Sequence, residues 1–197
     1  LANGKFEFDH HVNIADDDNS LSNNSIYSIF QDNQNSIWVG THGDGLNIYN
    51  PLNEKFELVQ NSTKTSRLII NNQVNAFVED EKYLWVGTEG GLSCYDKKTR
   101  TSRHFEHNPA NKKTLRANAV LALLKDKSGH LFIGGMEMGL SQFDFASGHF
   151  IHYKANPSDT NSLRSDNIFA LYQDSKGRIW AGQNCGGLSL FDFTTKK

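Results

Sequence analysis

Three carboxylates, an imidazole and an amide stand at matched places in a repeated phrase of this 197-residue sequence. His42 and Asp44 interrupt WVGTHGDGLNIYN, and Glu89 interrupts WVGTEGGLSCYD. Glu137 interrupts FIGGMEMGLSQFD between Met136 and Met138, and Asn184 interrupts WAGQNCGGLSLFD beside Cys185. Converging around a mouth, such groups would orient a polar ligand. Two carboxyl groups held roughly 5–10 Å apart could instead hydrolyse a glycosidic bond. A second acidic series, Asp32, Asp80, Asp126 and Asp174, sits in contexts such as Asp126-Lys127-Ser128-Gly129. There an Asp side chain accepts bonds from the backbone two or three residues on, so this series reads as turn chemistry with bound calcium as the alternative. The run Asp16-Asp17-Asp18-Asn19 lacks the Gly and distal Glu of a calcium loop and reads as a solvated connection. No nucleophile elbow, phosphate loop, metal-binding His pair or zinc-type Cys spacing is present, so no cofactor and no metal are expected.

The elements that must carry these residues follow from the repeat. The four phrases begin at Trp38, Trp85, Phe132 and Trp180, in steps of 47, 47 and 48 residues. Each is preceded by a second phrase, NSIYSIFQD, NQVNAFVED, NAVLALLKD or DNIFALYQD, whose final Asp stands 6, 5, 6 and 6 residues before the aromatic. That gap suits a tight hairpin. Strands A (IYSIF), B (IWVGT) and C (LNIYN) are read per unit, with a half-exposed strand D over Lys55–Val59, Ser102–Glu106 and Phe150–Lys154. At the centre of strand A stand Ser28, Ala76, Ala122 and Ala170, small enough to let backbones crowd around an axis. A period of roughly 40–50 residues built from short strands is that of a β-propeller, whose blades must stack to bury their faces.

The expected fold is therefore all-β, four four-stranded blades with units near 10–59, 60–106, 107–154 and 155–197. Residues 1–9 supply an outer strand, and Lys5–Asp9 are expected to pair with Leu188–Phe191, in this chain or in a partner copy, so that no edge is left bare. Leu1 does not read as a natural start. In such a ring the B–C turns and D–A connections emerge on one face around the central channel. His42, Asp44, Glu89, Glu137 and Asn184 are read as replacing scaffold glycines at one geometric position of that rim. Trp38, Trp85 and Trp180 read as packing between blades rather than as sugar platforms.

Composition narrows the partners. A net charge of −2 gives no cationic excess to drive counterion release, which argues against nucleic acid. No apolar run approaches the roughly 20 residues of a membrane span, so this segment is not expected to insert directly. Cys94 and Cys185 would lie on opposite blades and read as two reduced thiols, the first buried and the second partly exposed.

The phrases FQD…SIWVGT…GLNIYN and YQDSKGRIWAGQNCGGLSLFD resemble the two-component regulator propeller repeat. The likeness runs through essentially the whole chain, with Phe132, Gly135, Met136 and Met138 as departures in the third copy. It implies the extracytoplasmic, periplasmic sensor region of a bacterial hybrid histidine kinase or diguanylate cyclase. It also implies more blades than four, so that this chain is a fragment of a longer sensor. The implied function is a non-enzymatic module that recognises a small polar ligand, such as a saccharide, or contacts neighbouring domains of the receptor, with a homodimer as a further arrangement. The alternative is a propeller-type lyase or glycoside hydrolase using rim carboxylates.

Overall fold

The computed structural model describes residues 8–52, 55–61 and 68–192. Fifteen short strands, rich in β-branched and aromatic residues as pleated half-buried surfaces require, make up its regular structure. The first sheet contains β1 (Ile26–Gln31), β2 (Ile37–Thr41), β3 (Leu46–Asn50) and β4 (Lys55–Val59). The second contains β5 (Val74–Glu79), β6 (Tyr83–Thr88), β7 (Gly91–Asp96) and β8 (Thr101–Phe105). In the third are β9 (Val120–Lys125), β10 (Leu131–Gly135), β11 (Gly139–Asp144) and β12 (His149–Tyr153). The fourth shows β13 (Ile168–Gln173), β14 (Ile179–Gln183) and β15 (Gly187–Phe191) among the described residues. All are antiparallel meanders in chain order.

Strands A, B and C fall where the repeat puts them. Strands β8 and β12 begin one residue earlier than the alternation suggests, because Asp96 and Asp144 pair with Thr101 and His149 and close the hairpin at once. The Asp96 carboxylate accepts the N–H groups of Lys98 and Thr99, and Arg100 takes the left-handed conformation that finishes the turn.

The sheets stack face to face, and three apolar clusters lie between neighbours. Leu46 and Val59 meet Ile69, Val74, Leu84 and Val86 between the first and second. Trp85, Leu92 and Cys94 meet Leu131, Ile133 and Phe143 between the second and third. Phe132 and Leu140 meet Ile168, Ile179, Ala181 and Phe191 between the third and fourth. Trp85 is fully buried, with the rings of Phe143 and Phe105 centred 5.3 and 6.1 Å away. Such aromatic contacts add about 0.5–1.5 kcal/mol each beyond burial.

The small residues of strand A stand directly opposite the glycines of strand B, in the pairs Ser28–Gly40, Ala76–Gly87, Ala122–Gly134 and Ala170–Gly182. The first three pairs each form a notch for the first residue of the next sheet, Val74, Val120 or Ile168. A Cβ on Gly87 would stand 2.6 Å from Val120 Cγ1, and one on Gly134 would stand 2.5 Å from Ile168 Cγ2. On Gly182 the nearest atom would be its own sheet's Ala170 Cβ at 3.4 Å.

Strands β1, β5, β9 and β13 run side by side, each packed on the next, and no comparable packing joins β13 back to β1 among the described residues. The faces at the two ends are correspondingly open. Tyr172 and Leu188 are each 64% exposed and Ile29 is 69% exposed, whereas Leu140 and Leu92, which match Leu188, are fully buried. The outer part of the first sheet is covered instead by its own N-terminal connection, with Leu21 packed on Val39 and Phe56. Residues 1–7 of the expected closing strand lie outside the described residues, and Phe8 and Asp9 belong to no strand.

Candidate functional site

The B–C turns and the D–A connections do share one face, held together by a bond repeated in every sheet. The N–H groups of His42, Glu89, Met136 and Asn184 donate to the carbonyls of Ser25, Gln73, Ala119 and Asn167, the residues just before each strand A. Below this rim the connections are clipped a second time. The side chains of Asn24, Asn72, Asn118 and Asp166 accept the N–H groups of Asn13, Asn61, His107 and Ala155, at 2.6–2.7 Å. A rigid scaffold carrying such loops is where binding commonly sits.

The five candidates are distributed over this rim at three turn positions rather than one. His42, Glu89 and Asn184 share the first position with Met136, as the repeated bond shows. Glu137 takes the second, left-handed position (φ 55°), together with Gly43 (φ 87°) and Cys185 (φ 57°). Asp44 takes the third, where the third sheet has Met138, a fully buried core residue. The turns differ because Thr88-Glu89-Gly90-Gly91 is one residue shorter than its counterparts, which spacing between the flanking glycines conceals.

Each candidate is engaged locally. The Asp44 carboxylate accepts Asn23 Nδ2 at 2.7 Å, and Glu89 accepts Asn75 Nδ2 at 3.0 Å. The His42 ring lies 5.0 Å from that of Tyr27. Glu137 presents its side chain to solvent while its N–H donates to Asn167 Oδ1 across the joint to the fourth sheet. Asp44 reaches a groove of about 1120 Å³ along the Asn13–Ser22 connection, whereas Asn184 borders a separate pocket of about 300 Å³ with Phe169, Ala170 and Gly182. Asp44 and Glu89 are thus each bonded to an asparagine of their own sheet's loop or inner strand.

The rim has further members that the repeat did not single out. Strand A carries an extra residue between its first pair and the small residue, so Tyr27, Asn75, Leu121 and Phe169 are bulged out of register. Bulges re-aim side chains next to sites. Tyr27 and Phe169 are 53% and 51% exposed, and Asn75 ties Glu89 to the Val120 carbonyl of the next sheet. No residue type marks the bulge: strand A exceeds strand B by one residue in the first, third and fourth sheets and equals it in the second.

The recurring Asp residues are turn residues with an additional task. Asp32 accepts the N–H groups of Gln34 and Ser36 through one oxygen and Trp38 Nε1 through the other, at 2.8 Å. Asp174 repeats this with Lys176, Arg178 and Trp180. The Trp180 indole and the Arg178 guanidinium hold the Asp174 carboxyl well below the usual range. Where Phe132 replaces Trp, His130 Nδ1 takes the Asp126 carboxylate at 2.9 Å. Asp80 pairs with Lys125 of the next sheet, leaving Trp85 Nε1 without a partner. Burial alone would raise Asp80, but Lys125 and the N–H groups of Tyr83 and Lys82 outweigh it and lower the value.

Two Ser–His pairs also need assignment. His152 Nε2 donates to the Thr114 carbonyl at 2.9 Å, which leaves Nδ1 to accept Ser141 Oγ at 2.8 Å. Ser93 and His104 repeat the contact at 3.0 Å. Both serines are fully buried beneath strand D, so these pairs fasten strands rather than attack substrates.

Radially stacked four-stranded meanders, joined at the inner strand and carrying their loops on one face, define a β-propeller architecture. The WD40 propeller domain of Doa1 shares it at 16% identity and a TM-score of 0.62, over 86% of this chain and 51% of that one, a likeness of fold alone. Residues 20–43 and 162–184 match the model of the two component regulator propeller family, and these are equivalent stretches of the first and fourth units. Two stretches of the chain, one in its first unit and one in its fourth, thus match the two component regulator propeller model. It is similar to the extracellular domain of the hybrid two component system BT3049 from B. thetaiotaomicron, at 27% identity and a TM-score of 0.76 over 90% of this chain. A second similar structure, the extracellular domain of BT4673 from the same organism, is 31% identical with a TM-score of 0.69 over 86% of this chain. The chain spans about a quarter of the length of either, 24% and 22%. No curated protein matches it.

Proposed function

We propose that this chain is part of the extracytoplasmic, periplasmic sensing region of a bacterial two-component-type receptor, and that its B–C rim contacts a polar ligand, a saccharide in the simplest case, or a neighbouring domain. The observation that carries the reading is the likeness to the extracellular domain of a hybrid two component system across 90% of this chain, beside the match of two stretches to the two component regulator propeller model. The chemistry of the rim supports it. Asp44, Glu89 and His42 can accept hydroxyl protons, Asn184 can both donate and accept, and Tyr27 and Phe169 offer exposed rings beside them. Neighbouring rim turns are joined across sheets, as in the Glu137–Asn167 bond, so contact at one turn is felt by the next sheet.

Titration calorimetry of the chain against a panel of neutral and acidic oligosaccharides tests the proposal. Binding by one class, lost in an Asp44→Ala/Glu89→Ala variant whose melting temperature is nearly unchanged, is the expected result. Binding that survives those substitutions removes the rim from the reading.

A further inference from the structure

The joint between the first and second sheets contains a cavity of about 500 Å³, and none of the five rim candidates lines it. Leu46, Val59, Ile69, Leu84 and Val86 form its aliphatic floor, with Trp38 and Tyr95 among its walls. Glu57, Lys97 and Arg100 are at its polar border.

The next joint explains why the space exists. Register equates Val59 with Phe105, Tyr95 with Phe143 and Ser102 with Phe150, while Lys97 and Phe145 each follow the Asp that ends strand C. In the second joint Phe105, Phe143 and Phe145 lie against Trp85, Phe150 backs Phe105 and Phe143, and Trp85 is fully buried. In the first joint a valine, a tyrosine, a lysine and a serine take their places, and Trp38 stays half-buried. Its indole N–H is already committed to Asp32, so what Trp38 offers the cavity is ring surface. The charged border is divided in the same way. Lys97 is paired with Glu79, whereas Glu57 and Arg100 are exposed and form no ion pair or side-chain hydrogen bond among the described residues. An apolar floor between aromatic walls, bordered by one uncommitted anion and one uncommitted cation, matches an apolar body with a zwitterionic head.

We propose that this cleft is a second binding site, separate from the rim, for a small molecule of that chemistry, an α-amino acid with an apolar side chain. The side chain enters between Trp38 and Tyr95 over Leu84 and Val86, the ammonium meets Glu57 and the carboxylate meets Arg100.

The probes are L-phenylalanine and L-leucine, with glycine (head without body), phenol (body without head) and glucose as comparators. Binding is followed by the Trp38 indole N–H resonance and by calorimetry on the whole chain. Saturable shifts are expected for phenylalanine and leucine, with the three comparators each about tenfold weaker or absent, the size of one lost charge-assisted contact or buried body. Val59→Phe copies the filled second joint, so it should abolish binding while keeping or raising the melting temperature. Glu57→Gln with Arg100→Gln should weaken phenylalanine and leave phenol unchanged. Equal binding of phenylalanine by Val59→Phe overturns the site, phenol as tight as phenylalanine overturns the head assignment, and no response to either amino acid overturns the proposal altogether. None of these outcomes bears on the rim, whose substitutions are Asp44→Ala and Glu89→Ala.

Discussion

Val120 reaches so far toward Gly87 that a methyl group on the glycine would stand 2.6 Å from Val120 Cγ1. The same relation links Gly134 to Ile168, and Gly40 to Val74 at 2.9 Å. The glycine of the WVGT phrase therefore serves the joint to the next sheet rather than its own turn. Gly87→Ala should destabilise the chain by about 1–3 kcal/mol through overpacking. Gly182, in the open last sheet, meets only Ala170 at 3.4 Å, and Gly182→Ala should be neutral or stabilise by about 0.5–1 kcal/mol, since Gly is costly inside a strand. Denaturant midpoints of the two variants decide this, and equal losses would refute the explanation.

Trp85 Nε1 is buried without a partner, whereas Trp38 and Trp180 donate to Asp32 and Asp174. Trp85→Phe removes that unmet donor while leaving a smaller ring, and Phe132 already fills the matching place in the third sheet. The two effects oppose one another, so the variant should lie within about 1 kcal/mol of the parent chain. A loss of more than about 3 kcal/mol in a urea melt, the range of a full aromatic truncation, would show that the indole has an unrecognised role.

Acid should weaken the fold in two stages. Burial, opposed by the bond to Thr114, lowers His152 from its ordinary 6.5. The unfolded chain then takes up that proton first, so the His152 contribution is complete above pH 6.5 and declines as pH falls toward the folded value. Asp80, Asp96, Asp144 and Asp174 are lowered from 3.8, so their contribution is present above that value and is lost as pH drops below it. Melting temperatures across pH 3–8 should show both declines, and His152→Gln should remove the upper one alone.

The two thiols should react very differently. Burial pushes Cys94 up to about 11, and its side chain is 1% exposed, whereas Cys185 is exposed at the rim. Iodoacetamide at neutral pH should modify one thiol per folded chain, identified as Cys185 by peptide mass, and a second only after denaturation. Rapid labelling of Cys94 in the folded chain would contradict the burial of β7.

Much of this architecture could be read from the sequence because the repeat fixes three strands at a time. The Asp before the turn, the aromatic start of strand B and the Gly-Leu entering strand C each do a separate physical job in every unit, so four copies give one consistent reading. The rim was less legible. Counting residues between flanking glycines grouped Asp44 with Glu137, yet the short Glu89-Gly90 turn and the buried Met138 show that equal sequence spacing there does not mean equal position. Asn75 and Phe169 were hidden because a bulge has no residue type of its own and shows only in pairing. The cavity beside Trp38 was hidden for another reason: it arises from what Val59 and Ser102 are not, and that is visible only once the joints are superimposed.

Among the described residues no packing comparable to that between neighbouring sheets joins β13 to β1, which gives them the statistics of a short linear array. Among the described residues each sheet packs chiefly on its sequence neighbours, so the inner two have two partners and the outer two have one. Opening should therefore begin at the ends and spread inward, with amide protons of β6 and β10 exchanging most slowly and those of β1 and β15 fastest. In a closed ring every sheet has two partners and no such gradient exists. Within this chain the Trp85 joint, flanked by a sheet on either side, is then the part that stays intact longest while the outer sheets open.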